Sequence, residues 1–461
     1  MAIVFRLICV LWLIGLAPFA LAGPAEQLVR QFGLSGSASV ALMDLDSGQL
    51  IDAYQSRKAL PPASVAKAVT VPYALDSLGS DFRFETTVIA TGPINGGLVQ
   101  GDIVLRGGGD PLLDTDGLFQ LVQTLKSKGV RGVTGRFLFA DGAISNVKYV
   151  DGEQPDHVGY NPALSGLNLN FNRVYFEWEG GELSLTAKSD NHAPPVSTID
   201  ITTSESSNPV FRFDEQDDRE VWIVAEPALK RDGSRWLPVR DPGRYAAEVF
   251  RTLAKDAGIT LPEGQEADGE LSGTVLASGA SAPLLALSRS MLRFSTNLTA
   301  EVVGMRASGE RGDMPEDHRS SAQAMTRWAS SRYKVNGVKF MDHSGLSDGS
   351  KASARALARI IRVETNRGLY PALLKNIPLE DAPGLSVRAK TGTLNFTSTL
   401  AGVIEGPKGR YAFAILFADE AARAKIKRQD RERPAGARTW IRSARSLQKT
   451  LLVAWGDAYL R

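Results

Sequence analysis

The sequence predicts an α/β protein of the α+β kind, in which an antiparallel sheet flanked by helices is interrupted by an inserted β-rich region. Three observations carry this reading. Short alternating apolar runs lie near the start of the chain and again near its end. Between about residues 82 and 240 similar runs are broken up by Gly, Pro and Asn. From Arg244 to Gly258 and from Leu284 to Ala307 apolar residues instead recur three and four apart, which is the helical period. The 461 residues, 43% hydrophobic and 23% charged, are ordinary globular usage and leave room for two or three domains.

The elements follow in chain order. Residues 1–22 read as an export signal, with Arg6, the apolar run Leu7–Leu16 and the small-residue end Ala20-Leu21-Ala22. The run is short for a bilayer, and Pro18 counts against a spanning helix. An exported, periplasmic protein cleaved near Ala22 is therefore expected. Ser39–Asp44 and Leu50–Tyr54 flank Asp46-Ser47-Gly48 as a hairpin, and Pro61-Pro62 opens a helix over Val65–Leu78. The β-rich stretch holds runs at Phe84–Ala90, Asp102–Arg106, Gly135–Phe139, Val174–Trp178 and Leu183–Ala187, and one helix near Leu118–Lys126. In the last third Leu385–Thr393, Thr399–Glu405 and Tyr411–Phe417 form a meander, and Trp440, Ile441, Ala444, Leu447, Leu451 and Trp455 share a face of a terminal helix. The expected organisation is a main domain from 23–81 and 241–461, with 82–240 inserted as one or two nested domains.

Charge and residue chemistry exclude several function classes. A formal charge of +2 gives no field for nucleic acid. Eleven Lys and Arg against three Asp and Glu between Ala421 and Arg461 read as a solvated face. The single cysteine, Cys9, lies in the signal, so the remaining chain has no thiol nucleophile, disulfide or thiolate metal site. His157, His192, His318 and His343 have no metal-ligand spacing. Neither a metal nor another cofactor is expected.

Three short motifs remain: Ser64-Val65-Ala66-Lys67, Ser295-Thr296-Asn297 and Lys390-Thr391-Gly392-Thr393. Ser-x-x-Lys also occurs at Ser145, Ser331 and Ser446, and Ser-x-Asn at Ser189 and Ser206, so context decides. Ser64 stands at a helix start with Lys67 one turn on, on the same face. An ammonium cannot accept a proton, so Lys67 is a base only if burial and a neighbouring cation, naturally Lys390, depress its pKa. The bland alternative is a capping serine with a solvated lysine. Ser295-Thr296-Asn297 interrupts a helical pattern, and Lys390–Thr393 ends a strand whose edge suits an extended peptide, with Gly392 allowing close approach.

The trio resembles the motifs of active-site serine penicillin-binding proteins and serine β-lactamases. The 231 positions between Ser64 and Ser295 resemble in particular the D-alanyl-D-alanine carboxypeptidase/endopeptidase family of low-molecular-mass class C, with accessory domains inserted between the first two motifs. Gly107–Leu112, Asn297–Glu301 and Ser344–Ser347 add to the likeness, whereas Asp348-Gly349 and Ala418-Asp419 depart from it. The resemblance implies a β-lactamase/transpeptidase-like domain and acyl transfer: Ser64 as nucleophile, Lys67 as base and Ser295 as proton relay. It further implies that Asn297, Lys390, Thr391, Gly392 and Thr393 bind peptidoglycan stem peptides, and that β-lactam antibiotics are covalent inhibitors. A serine β-lactamase and a non-catalytic cell-wall-binding protein on the same scaffold are the rival readings.

Overall fold

The computed structural model describes residues 23–461 except 217, 218, 270, 271 and 313. The expected signal at 1–22 lies outside the described residues. Six strands form one sheet in the order Leu50–Tyr54, Ser37–Asp44, Gly409–Ala418, Thr397–Gly406, Ser386–Leu394 and Lys375–Asn376, every neighbour antiparallel. Val40 pairs with Ile415 and Lys390 with Ala401, so the two ends of the chain meet in the sheet centre.

Both faces of this sheet are covered, which is why its central strands are apolar almost without interruption. On one face Val40, Leu42, Phe413 and Ile415 pack with Trp440, Leu447, Leu451 and Trp455 of the terminal helix Ala437–Trp455. On the other, Ala41, Met43, Ala412 and Ala414 pack under the helix Ala354–Asn366 and share one core with the helices Lys67–Leu78, Leu284–Phe294, Asn297–Glu310 and His318–Tyr333. The period-two switch between adjacent residues 40, 41, 42 and 43 builds the three layers. Among the described residues, no helix is long and apolar enough to cross a membrane.

The inserted region has its own core. A five-stranded sheet runs Gly264–Glu266, Phe137–Ala140, Ile103–Gly107, Glu85–Ala90 and Thr274–Ala280, packed by the helices Thr115–Ser127 and Pro242–Asp256. Three three-stranded sheets accompany it, two built from residues 173–238 and a small one from residues 94–133. The boundary expected at 240 is displaced. Tyr245, Val249, Phe250 and Leu253 are buried in the second core, and Val88 pairs with Ala277, so the chain rejoins the main core at Leu284. The composition shift at 241 marks a change of element. An apolar helical stripe does not say which core it will face.

Candidate active site

Ser64 lies in a single 3-10 turn, Ala63–Ala66, that runs directly into the helix Lys67–Leu78. Ala63 holds a left-handed φ of 48°, a conformation that L-residues adopt only under constraint. The constraint is visible on both sides. Thr399 Oγ1 donates to the Pro62 carbonyl at 2.7 Å from the sheet. A Cβ at Gly392 would stand 2.8 Å from the same carbonyl oxygen, and one at Gly345 would stand 1.8 Å from the Ala63 carbonyl oxygen. Glycine at 392 and 345 thus lets a strand and a loop close onto the turn that carries Ser64.

Lys67 is fully buried, which removes the reading of a solvated lysine beside a capping serine. Its ammonium donates to Ser64 Oγ at 3.0 Å, Asn297 Oδ1 at 2.7 Å and the Ser344 carbonyl at 2.8 Å, using all three of its donors. Burial pulls its pKa from 10.5 down to about 8, against the pull of Glu301 and Asp342, which favour the charged form. Of the two expected causes, burial and the neighbouring cation Lys390, burial supplies the lowering. The influence runs the other way, since burial and then the charge of Lys67 push Lys390 down to about 6.

Lys390 projects from the strand Ser386–Leu394 and donates to Ser295 Oγ at 2.9 Å and to the Thr391 carbonyl at 2.7 Å. Ser295 ends the helix Leu284–Phe294 in a left-handed conformation, φ 63°, with its N–H on the Met291 carbonyl at 2.8 Å. Asn297 opens the next helix. Its Oδ1 receives Lys67 and its Nδ2 donates to the Tyr160 carbonyl of the inserted region at 2.7 Å. The helix break read from the sequence is therefore a two-residue corner that aims a hydroxyl and a carboxamide at one place.

Ser64, Ser295, Asn297 and Thr393 line a single cleft of about 310 Å³, closed by Tyr160 and Gln154 from the insertion and by Arg423, Arg431 and Ile441 from the C-terminal segment. Thr391 and Thr393 are exposed while Lys390 and Gly392 are buried, as strand alternation requires. Beside them the edge is open, because pairing with Lys375–Asn376 stops at Ala389. The alternative Ser-x-Asn at Ser189–Asn191 is engaged elsewhere, on Asp116 and His192, and Lys148 of another Ser-x-x-Lys pairs with Glu215 at the surface. Among the described residues, no group of three or more His, Cys, Asp or Glu is placed to hold a metal ion.

Several supporting residues escaped the sequence reading. Glu301 accepts the backbone N–H groups of His343 and Ser344 at 3.0 and 2.8 Å, and Asp342 those of Gly345 and Ser347 at 2.8 and 2.5 Å. Together they fix the loop that offers the Ser344 carbonyl to Lys67. Burial raises the pKa of both carboxyls, and each favours the charged form of Lys67. The signal for Glu301 was present: an acid one turn after Asn297 in an otherwise apolar stretch. The departure at Asp348 has a partner in Arg423, whose Nε donates to it at 2.7 Å, with Arg431 3.5 Å away. Asp419 caps the helix Glu420–Ala424 through the Ala422 N–H at 2.9 Å.

Residues 25–434 match the D-Ala-D-Ala carboxypeptidase 3 (S13) family. A D-alanyl-D-alanine carboxypeptidase of an Actinomadura species is 24% identical over 88% of this chain and 82% of its own length. Penicillin binding protein 4 (dacB) of Haemophilus influenzae has a similar fold, with a TM-score of 0.75 and 19% identity over 93% of this chain and 99% of that one. The complex of that protein with a β-lactam aligns over the same shares at TM-score 0.73 and 19% identity.

Proposed function

The chain belongs to the D-Ala-D-Ala carboxypeptidase 3 (S13) family, and from that premise we propose that Ser64 is the nucleophile of a serine-type D-alanyl-D-alanine carboxypeptidase and DD-endopeptidase acting on peptidoglycan stem peptides. One observation carries the assignment. A wholly buried amine, Lys67, touches the hydroxyl of Ser64 and the carboxamide of Asn297, while a second buried amine holds Ser295 in the same cleft.

The chemistry follows from those contacts. Neutral Lys67 takes the proton as Ser64 Oγ bonds to the carbonyl carbon of the scissile D-Ala peptide bond. The developing oxyanion is received by the backbone N–H groups of Ser64 and Thr393. Ser295 relays that proton from Lys67 to the leaving amine, giving up its own as it accepts the one from the ammonium, the C–N bond breaks, and an ester on Ser64 remains. Water hydrolyses the ester and restores the hydroxyl. Asn297 holds the acyl-side peptide, and the open strand edge at Lys390–Thr393 pairs with the extended substrate. A β-lactam acylates Ser64 by the same attack and leaves slowly, because its opened ring stays attached. Export to the periplasm, following the signal pattern at 1–22, places the enzyme beside this substrate.

The test combines fluorescent-penicillin labelling of the mature protein, followed by mass spectrometry, with an assay for D-Ala released from a muropeptide. A durable single adduct and D-Ala release are expected. Rapid penicillin hydrolysis would instead indicate a β-lactamase, and the absence of both label and release would indicate a binding protein.

A further inference from the structure

The terminal helix contributes to the lining of the cleft. Ile441 lines the cleft, and Arg445 follows one turn later on the same face. Arg445 Nη2 donates to Thr393 Oγ1 at 3.0 Å. A guanidinium has no acceptor, so the hydroxyl oxygen is the acceptor here and its own proton stays available to a ligand. Thr393 is exposed on the stretch of strand edge that no other strand covers among the described residues.

We propose that Arg445 is a specificity-determining residue that, with Thr393, receives the free α-carboxylate of the departing D-amino acid. This rests on the acyl-transfer reading above and adds to it a residue from outside the three motifs. The cations in and beside the cleft single it out. Arg423 and Arg431 are held by Asp348, and Arg431 is further paired with Glu153. Lys390 is buried beside another amine and has the Ser295 hydroxyl and a carbonyl as its partners. Arg445, exposed and with the Thr393 hydroxyl as its side-chain partner among the described residues, has donors left over for a ligand. A planar fork of donors beside a free hydroxyl proton matches the two oxygens and charge of a carboxylate, and offers a neutral amide terminus a single, weaker acceptor contact.

The experiment compares turnover of a diacetylated L-Lys-D-Ala-D-Ala peptide with that of its C-terminal carboxamide, for the wild type, Arg445→Ala and Arg445→Lys. For the carboxylate peptide, Arg445→Ala is expected to lower kcat/KM by about tenfold or more, chiefly through KM, with partial rescue by Arg445→Lys. Turnover of the amide should change little, and since Arg445 is exposed the melting temperature should hold. An unchanged KM for the carboxylate peptide in Arg445→Ala, with the wild type active, overturns this assignment alone. A wild type that neither takes penicillin nor releases D-Ala overturns the acyl-transfer reading, and the carboxylate subsite with it.

Discussion

If Lys67 is the base that activates Ser64, the rate of acylation must follow its neutral form. At a pKa of 10.5 roughly 0.03% of a lysine is neutral at pH 7, whereas at about 8 the neutral fraction is roughly 9%, a gain of about 300-fold. Burial of the side chain supplies that gain, against Glu301 and Asp342, which hold the proton on. His343 is pushed down to about 3 by burial and stays neutral, while Asp342, raised to about 7 by burial, and Lys390, near 6, titrate on the same limb as members of one cluster. The second-order rate of fluorescent-penicillin labelling, followed by stopped flow from pH 5.5 to 10, should climb with pH, by at most about tenfold per unit, up to about 7.5. It should bend near 8 and level off above 9, with the apparent value belonging to the coupled cluster. A profile that is flat from pH 6 to 9, or one that keeps rising to 10.5, would refute the argument that burial prepares Lys67 as the base.

Other expectations rest on single contacts. Ser64→Ala should abolish covalent penicillin labelling, and a persistent adduct would remove Ser64 from the nucleophile role. Glu301→Gln deletes a charge that favours protonated Lys67, so the labelling limb should move to lower pH; losing one backbone acceptor should also cost about 1–3 kcal/mol in urea unfolding. Gly345→Ala places a methyl 1.8 Å from the Ala63 carbonyl oxygen at a φ of 78°, so stability should fall by about 2 kcal/mol or more and labelling should slow. Wild-type values for both would show that the loop does not clamp the Ser64 turn. Asn297→Ala removes an acceptor from Lys67 and a donor from the Tyr160 carbonyl, and labelling should slow by about tenfold or more while secondary structure measured by circular dichroism is unchanged.

The strands of the main sheet were legible because their side-chain period is two and their turns carry Gly, Pro and Asp. The runs read at 39–44, 50–54, 399–405 and 411–417 fall inside the strands observed. The helix break at Ser295 was legible for a similar local reason, as polar residues interrupt an apolar stripe. What could not be read was which elements share a core. Tyr245, Phe250 and Leu276 look no different from main-domain residues, yet they belong to the insertion. Tyr160 was equally silent, since its contribution to the site is a backbone carbonyl, which any residue in that loop offers. Asp342 sits in a loop with no periodicity, and its meaning comes from burial next to Lys67, 275 positions earlier in the chain.

The two lysines occupy one cleft but have different surroundings, and that difference assigns their charges. Lys67 gives up its hydration for three hydrogen bonds and two buried carboxyls, so loss of water is partly offset by Coulomb attraction. Lys390 has a hydroxyl and one carbonyl as its partners, and meets the repulsion of Lys67 as well. Near neutral pH the proton therefore resides mainly on Lys67, while Lys390 is mainly an uncharged amine beside Ser295. A substrate carboxylate arriving at Thr391 and Thr393 would reverse the balance at Lys390, since an anion there favours its charged form. The added cation would in turn make Lys67 a poorer holder of its proton. The same electrostatics that keep the empty site at rest would thus make the hydroxyl of Ser64 easier to activate once a carboxylate-bearing peptide is in place.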